Sequence, residues 1–351
     1  MKAVVIERFG GPEVMDYRDV PTPEPGPGDI LVEVHAVTVN RTLDIHVRQD
    51  GDGRNPPFPI VLGADPAGIV AAVGPGIEAE FVGARVALVR GALRCGECGA
   101  CRDGREHECV SMRHLGIHAW GGYADYVVLP RSCVTVIPSN LDFPTAAVVY
   151  RHFPSAFHLL DKVNVRAGET VLVMGAGGGL GNAGVQAALH RGARVIAAAG
   201  NEAALANARE LGAEAAFNYR TEDLEARVND HTRGAGVNVV FENMADPVLF
   251  PQAFNCLGGG GRLVTAGSHA GGNVQLDVKR LYRRKLTIIG TSGVDAADLQ
   301  ATTEGAASGR FRAFIDRILP LSEVREAHRL VSAREVVGKV VMVPDRVLAH
   351  A

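Results

Sequence analysis

Thr170-Val-Leu-Val-Met-Gly-Ala-Gly-Gly-Gly-Leu-Gly181 decides the fold of this chain. The short run Thr170–Met174 suits a strand buried on both faces of a parallel sheet. Glycines follow at once, and a helical pattern runs from about Gly179 to His190. Strand, glycine turn and helix in that order form a dinucleotide-binding unit. The glycines let the backbone approach a pyrophosphate, whose charge rests on the helix N-terminus. The spacing is A-x-G-x-x-G at Ala176, Gly178 and Gly181, with Gly179 and Leu180 inside the turn.

The pattern continues downstream. Arg194–Ala199 reads as the next strand, Glu202–Leu211 as a helix, and Val237–Phe241, Gly261–Thr265 and Leu286–Gly290 as further strands. Strands alternating with helices predict a doubly wound parallel sheet, so the fold class is α/β. Upstream the grammar differs. Ile30–Val37, Ala67–Gly74, Arg85–Val89 and Tyr123–Leu129 are short strands separated by Pro- and Gly-rich turns, which predicts a compact β-barrel domain. After residue 300 come helical segments and a last strand, Lys339–Val343.

Four of the six cysteines lie at Cys95, Cys98, Cys101 and Cys109, spaced C-x2-C-x2-C-x7-C. That spacing fits a closed tetrahedral zinc site of four thiolates, which stores folding energy and leaves no position open for chemistry. Two disulfides are the alternative. They would close very small loops, and nothing in the sequence points to an oxidising compartment.

Composition narrows the function classes. Net charge is −3, aromatic residues are 5 % and no like-charge run occurs, which disfavours nucleic acid and anionic membranes as partners. Hydrophobic residues at 47 % suffice for a sizeable core, and 351 residues suggest about two domains. The chain enters a strand pattern from Met1 without a secretory apolar segment, and no apolar run reaches bilayer length. A cytoplasmic protein acting on a small molecule is expected.

The second strand of the α/β region ends Ala199-Gly200-Asn201, with no carboxylate at its tip. NAD sites usually place an acidic residue there, so NADP(H) is expected, with NAD(H) as the alternative. Asn201, Tyr219 and Arg220 are candidate contacts for a 2′-phosphate; Glu202 begins the following helix, where it favours the helix dipole.

Taken together, the cysteine lobe, the Gly74 segment, Gly121-Gly-Tyr-Ala-Asp-Tyr-Val127, the Gly175 turn and Gly338-Lys-Val-Val341 resemble the medium-chain dehydrogenase/reductase superfamily over nearly the whole chain. The resemblance implies a GroES-like β-barrel substrate domain over 1–145, its structural zinc lobe at about 91–112, and a Rossmann domain over 146–295. It also implies that a segment over 296–351 completes the substrate domain, that the active site lies between the domains, and that the protein is a homodimer or tetramer. By resemblance, Asn243, Thr265, Ala266, Gly267, Gly290, Thr291 and Ser292 lie near the nicotinamide, and Lys339 reaches the cofactor.

The departures from that family are chemically informative. Its zinc alcohol dehydrogenases hold a catalytic metal with a Cys, a Gly-His-Glu segment and a second Cys. Here the first position reads Asn40, or Arg41 in a shifted alignment. The segment reads Gly63-Ala64-Asp65, and the second Cys position reads Tyr150. Asp65, even with His152, falls short of a catalytic zinc set. The chain thus resembles the zinc-independent quinone oxidoreductase and enoyl reductase branch, with the zinc lobe retained. Without a Lewis acid, an activated C=C or a quinone is the easier hydride acceptor. Asn40, Tyr150, His152 and Asp65 are the candidate catalytic residues. An alcohol dehydrogenase or carbonyl reductase with an unusual metal set, or a catalytically silent NADPH-binding protein, are the alternatives.

Elemental analysis of the purified protein should find about one zinc per chain, from one four-thiolate set. Two equivalents, or none in a normally folded chain, would overturn the assignment. Cys98→Ser should lower thermal stability rather than remove chemistry selectively.

Overall fold

The structure is a computed structural model and describes residues 1–349. The chain folds into two compact units, one formed by residues 1–151 with the segment from Ile315 onward, the other by His152–Phe314.

The first unit is the barrel. Its long strand Asp29–Thr38 pairs antiparallel with Pro66–Val73 and with Tyr126–Pro130. On the far side Lys339–Val343 pairs with it through Val341 opposite Thr38, and Ile315–Pro320 then adds in parallel to Lys339–Val343. The helix Val324–Ser332 makes the crossover between those last two strands. A second sheet joins Asp16–Asp19, Lys2–Ile6 and Ile60–Val61. Gly74 is needed where the chain doubles back, since a Cβ there would fall 1.8 Å from the Gly26 carbonyl oxygen.

The barrel core is mostly Val, Ile and Leu, including Val32, Val34, Ile60, Leu62 and Met342. It also encloses a polar chain. Arg48, only 1 % exposed, donates through Nη1 to the Gly10 carbonyl (2.7 Å) and through Nε to His328 Nδ1 (3.2 Å). Because Nδ1 accepts, Nε2 carries the ring proton and faces the Tyr123 hydroxyl at 3.2 Å. The phenol in turn donates to Asp44, and burial holds its pKa well above the usual range.

The second unit carries a six-stranded parallel sheet in the order Ala215–Asn218, Arg194–Ala199, Thr170–Met174, Val237–Glu242, Leu257–Thr265, Thr287–Gly290. This is the doubly wound order 3-2-1-4-5-6, whose strand order reverses beside the first strand. The helix Gly179–His190 follows that first strand. Gly181 lets the helix seat on the turn, because a Cβ would lie 2.1 Å from the Gly175 carbonyl oxygen.

The units divide at 151/152 and 314/315, where the family resemblance implies 145/146 and 295/296. The first division falls inside one long helix, Phe143–Lys162. The helix Ala296–Ala307 stays with the parallel sheet because Asp298 bonds His158 (3.0 Å) and Phe311, just beyond it, stacks on Phe153 at 4.4 Å. No described helix is long and apolar enough to cross a membrane.

Burial and the neighbouring Arg48 charge push the His328 pKa down to about 3. The imidazole is neutral in the folded chain, while in the unfolded chain it titrates near about 6.5. Between those values the unfolded chain binds the extra proton. Stability is therefore fully present above about pH 6.5 and falls as pH drops, by up to about 1.4 kcal/mol per unit from this group. Urea unfolding from pH 7 to pH 4 should show a shallower loss in His328→Gln than in the parent chain; equal slopes would contradict the assignment.

Candidate active site

The strand Asp29–Thr38 leads directly into the polar cluster of the barrel unit. Beyond its end, Asn40 begins a tight turn in which Ile45 N–H reaches the Asn40 carbonyl at 3.2 Å, a five-residue span that holds one residue more than an α-turn. The Asp44 carboxylate folds back across this turn. Its Oδ2 accepts from Asn40 N–H (2.7 Å) and its Oδ1 from Gly63 N–H (3.0 Å).

Asp65 lies at the centre of the cluster and is 2 % exposed. Its Oδ2 accepts from the Thr38 hydroxyl (2.5 Å) and from Asn40 Nδ2 (2.6 Å). Its Oδ1 faces Arg151 Nε in an ion pair of 3.1 Å. Asn40 Nδ2 also reaches the Thr38 hydroxyl oxygen at 3.3 Å. Lys339 Nζ donates to Asn40 Oδ1 (2.8 Å) and to the Val39 carbonyl (2.7 Å). These contacts fix the Asn40 amide: the oxygen meets an ammonium, the nitrogen a carboxylate.

Two buried acids and two cations thus share one low-dielectric region. Burial first, then the Asp65 charge, pushes the Asp44 pKa up to about 7, opposed by its two backbone N–H donors. Burial pushes Lys339 down to about 8, opposed by the charges of Asp65 and Asp44. Both groups change protonation near neutral pH because neither charged form is hydrated.

In the other unit, the carboxyl edge of the parallel sheet presents the residues expected for a dinucleotide. Gly178 enters the helix with extended backbone and no side-chain cap, so the first N–H groups of a twelve-residue helix stay unclaimed by side chains. A Cβ at Gly177 would meet Ala204 at 2.6 Å, and one at Gly179 would meet the His152 ring at 2.3 Å, so side chains are excluded from the turn. These features fit a pyrophosphate held by Ala176, Gly178, Gly179, Leu180 and Gly181. At the second strand tip, Gly200 lies under Arg220 Nε and the Tyr219 ring, each within 3.0 Å of where a Cβ would stand. Asn201 caps the next helix by accepting from Ala204 N–H (2.8 Å), and Glu202 is tied to Asn218 Nδ2 (2.8 Å).

Further along the edge, Asn243 Nδ2 donates to the Met174 carbonyl (2.7 Å) and the Thr265 hydroxyl to Glu242 (2.8 Å). Ala266 N–H meets the Glu242 carbonyl at 3.3 Å, and Gly267 takes φ of +126°. Gly290 closes its strand and Ser292 is exposed. Thr291 bonds His158 Nε2 at 3.1 Å, and His158 Nδ1 bonds Asp298 at 3.0 Å.

Of the four candidate catalytic residues, the structure brings Asn40 and Asp65 together. Asn40 acts differently from a substrate donor, because both amide hydrogens are committed to Asp65 and Thr38. Tyr150 is fully buried in the helix Phe143–Lys162, and the ion pair to Asp65 comes from the next residue, Arg151. His152 belongs to the other unit and lies against Gly179. Lys339, expected beside the cofactor, sits in the barrel unit on Asn40. Thr38, Asp44, Arg151 and His158 carried no motif signal. A one-residue step along the helix would have found Arg151.

The four cysteine sulfurs Cys95, Cys98, Cys101 and Cys109 lie within 4.8 Å of one another, and none is in a disulfide. Zinc–sulfur bonds of about 2.3 Å in a tetrahedron place sulfurs about 3.8 Å apart. Cys95 stands 4.0 Å from Cys101 and 3.6 Å from Cys109, so the set fits a structural zinc. His158, Asp295 and Asp298 also converge, but the two carboxylates are engaged as the reciprocal cap of the helix Ala296–Ala307.

Comparison with known proteins agrees with this architecture. A model of the alcohol dehydrogenase GroES-like domain matches residues 26–139, and a model of zinc-binding dehydrogenases matches residues 179–308. A quinone oxidoreductase of Sus scrofa is 30 % identical over 97 % of both chains. A solved NAD-dependent alcohol dehydrogenase is 37 % identical, with a TM-score of 0.89 over 98 % of this chain and 99 % of that one. A zinc-binding dehydrogenase of Sinorhizobium meliloti 1021, solved with NADP, is 30 % identical with a TM-score of 0.86 over 98 % and 99 %. With both domain models matched in order and relatives aligned end to end, the chain belongs to the medium-chain dehydrogenase/reductase superfamily and is an oxidoreductase of that kind.

Proposed function

We propose that this oxidoreductase reduces an activated C=C bond conjugated to a carbonyl, in an enone or enoyl thioester, or a quinone, and prefers NADPH. The observation that carries the reading is the donor set around Asp65. At the positions where zinc alcohol dehydrogenases present Cys, His and Cys, this chain presents the amide of Asn40, the methyl of Ala64 and the buried phenol of Tyr150, and the next residue, Arg151, pairs with Asp65. An amide nitrogen spent on a carboxylate, a methyl and a buried phenol do not make the ligand set of a catalytic zinc. The barrel unit thus offers hydrogen-bonded cations rather than a Lewis acid.

When bound, the reduced dinucleotide supplies hydride. The chain's own residues do the rest. The glycine turn holds the pyrophosphate on helix N–H groups, and Asn243 and Thr265 stand at the strand ends. Asn40 fixes Lys339, whose ammonium raises the local potential where substrate charge develops. The final proton comes from water.

Support for NADPH comes from the second strand tip. Glu202 is occupied by Asn218 Nδ2, Glu222 by Asn218 N–H and Arg227, and the Arg220 guanidinium lies beside Gly200 with no side-chain partner among the described residues. The relative of Sinorhizobium meliloti binds NADP, whereas another is named NAD-dependent.

Fluorescence titration should give a lower Kd for NADPH than for NADH; equal or reversed affinity contradicts the preference. Asn201→Asp preserves the helix cap while adding a charge. It should weaken NADPH relative to NADH by about tenfold, or about 1.4 kcal/mol.

With C4-deuterated NADPH and an enone, deuterium should appear on the β-carbon of a saturated ketone. Deuterium on a carbinol carbon, with activity lost to chelators, would instead establish an alcohol dehydrogenase.

A further inference from the structure

Arg151 stands out among the cations of the barrel unit. Lys339 is buried and occupied by two acceptors. Arg48 is buried and occupied by Gly10 and His328. Arg151 keeps 37 % of its side chain exposed, and its only polar partner among the described residues is Asp65, reached through Nε. The two Nη groups have no protein partner among the described residues, and the planar guanidinium keeps their N–H donors available to a ligand.

The anchor is rigid for a reason. Asp65 is buried, and its other oxygen is held by Thr38 and Asn40, so the carboxylate cannot swing to meet the Nη groups. A surface ion pair would leave both partners free to rotate. Here one partner is locked in the core and the other projects from the helix Phe143–Lys162. The result is a positive charge on a partly exposed side chain, anchored to the buried cluster and one residue beyond Tyr150, which takes the place of the second metal-binding Cys of the zinc alcohol dehydrogenases.

We propose that Arg151 is the oxyanion-binding residue of this enzyme, its Nη groups donating to the substrate oxygen that becomes an enolate. This rests on the reductase reading above. Hydride from the reduced dinucleotide forms the new C–H bond at the β-carbon and breaks the C=C π bond. That electron pair moves to the carbonyl oxygen, leaving an enolate whose charge the guanidinium meets. The α-carbon then takes a proton from water, the carbonyl re-forms, and the dinucleotide is left oxidised. An arginine stays cationic throughout, so it stabilises the enolate without itself giving up a proton.

The test uses 4-nitrophenol, an aromatic enolate analogue whose ionised form absorbs in the visible. Titrated with the zinc-loaded protein, it should bind as the phenolate with its apparent pKa lowered. Arg151→Met should abolish that shift, and Arg151→Lys should retain part of it. Because Arg151→Met leaves the Asp65 charge buried without its counterion, Asp65→Asn/Arg151→Met serves as the charge-neutral control and should also fail to shift the phenol. In kinetics on an enone, Arg151→Met should lower kcat by about 10²–10³-fold, the usual cost of one oxyanion donor, with NADPH affinity unchanged by fluorescence. An equal pKa shift in parent and variants, or no shift in the parent, overturns the proposal. A shift that depends on Arg151 in a protein that reduces no C=C or quinone keeps the oxyanion site and rejects the reductase reading. C=C reduction with kcat unchanged in Arg151→Met does the reverse.

Discussion

Asp65 is a carboxylate withdrawn from water, and the barrel unit is arranged around compensating it. Leaving such a charge without partners costs about 3–5 kcal/mol. Thr38 and Asn40 supply hydrogen bonds to one oxygen and Arg151 an ion pair to the other. Because Asn40 is held by Asp65, its carbonyl oxygen is free to accept Lys339 from the strand Lys339–Val343. That strand pairs with Asp29–Thr38, which delivers Thr38 itself. One buried charge thereby ties the last strand of the unit to its longest one, and the same network sets the electrostatics of the candidate site.

A second constraint runs beneath it. Asp44, Tyr123, His328 and Arg48 continue the polar chain into the barrel core, each satisfying the next. Such a chain holds together only if every member is paired, since an unpaired polar group in a low-dielectric core is costly. Its termini are both arginines but differ in exposure. Arg48 ends on a backbone carbonyl inside the barrel, whereas the Asp65 branch ends on a half-exposed guanidinium. The interior end serves stability, and the partly exposed end is the one open to a ligand.

The parallel-sheet unit obeys a different rule, that of close backbone approach. Gly177, Gly179 and Gly181 are each required because a Cβ would strike Ala204, His152 or the Gly175 carbonyl. This packing leaves the helix N-terminus bare for an anion. It also shows why His152 is better understood beside the turn than beside Asp65: the helix Phe143–Lys162 passes from one unit to the other, and a single residue step changes which unit a side chain serves.

Features written in local spacing were legible in the sequence. The strand Thr170–Met174, its glycine turn and the helix Gly179–His190 occur at the residues where periodicity placed them, and the four cysteines converge as their spacing required. Period, turn chemistry and ligand spacing are short-range properties, so the chain alone determines them. The domain divisions, the long helix through 143–162 and the partners of Asp65 were not legible. Thr38, Asp65, Arg151 and Lys339 are far apart in sequence, and which helix face meets a buried carboxylate depends on the register of the packed strands. Sequence alone determined that this protein is a two-part, zinc-lobed dinucleotide oxidoreductase with its catalytic metal ligands replaced. Only the tertiary structure decided that Arg151 stands against Asp65 and that Asn40 is already spent, because burial and hydrogen-bond commitment are properties of packed neighbours.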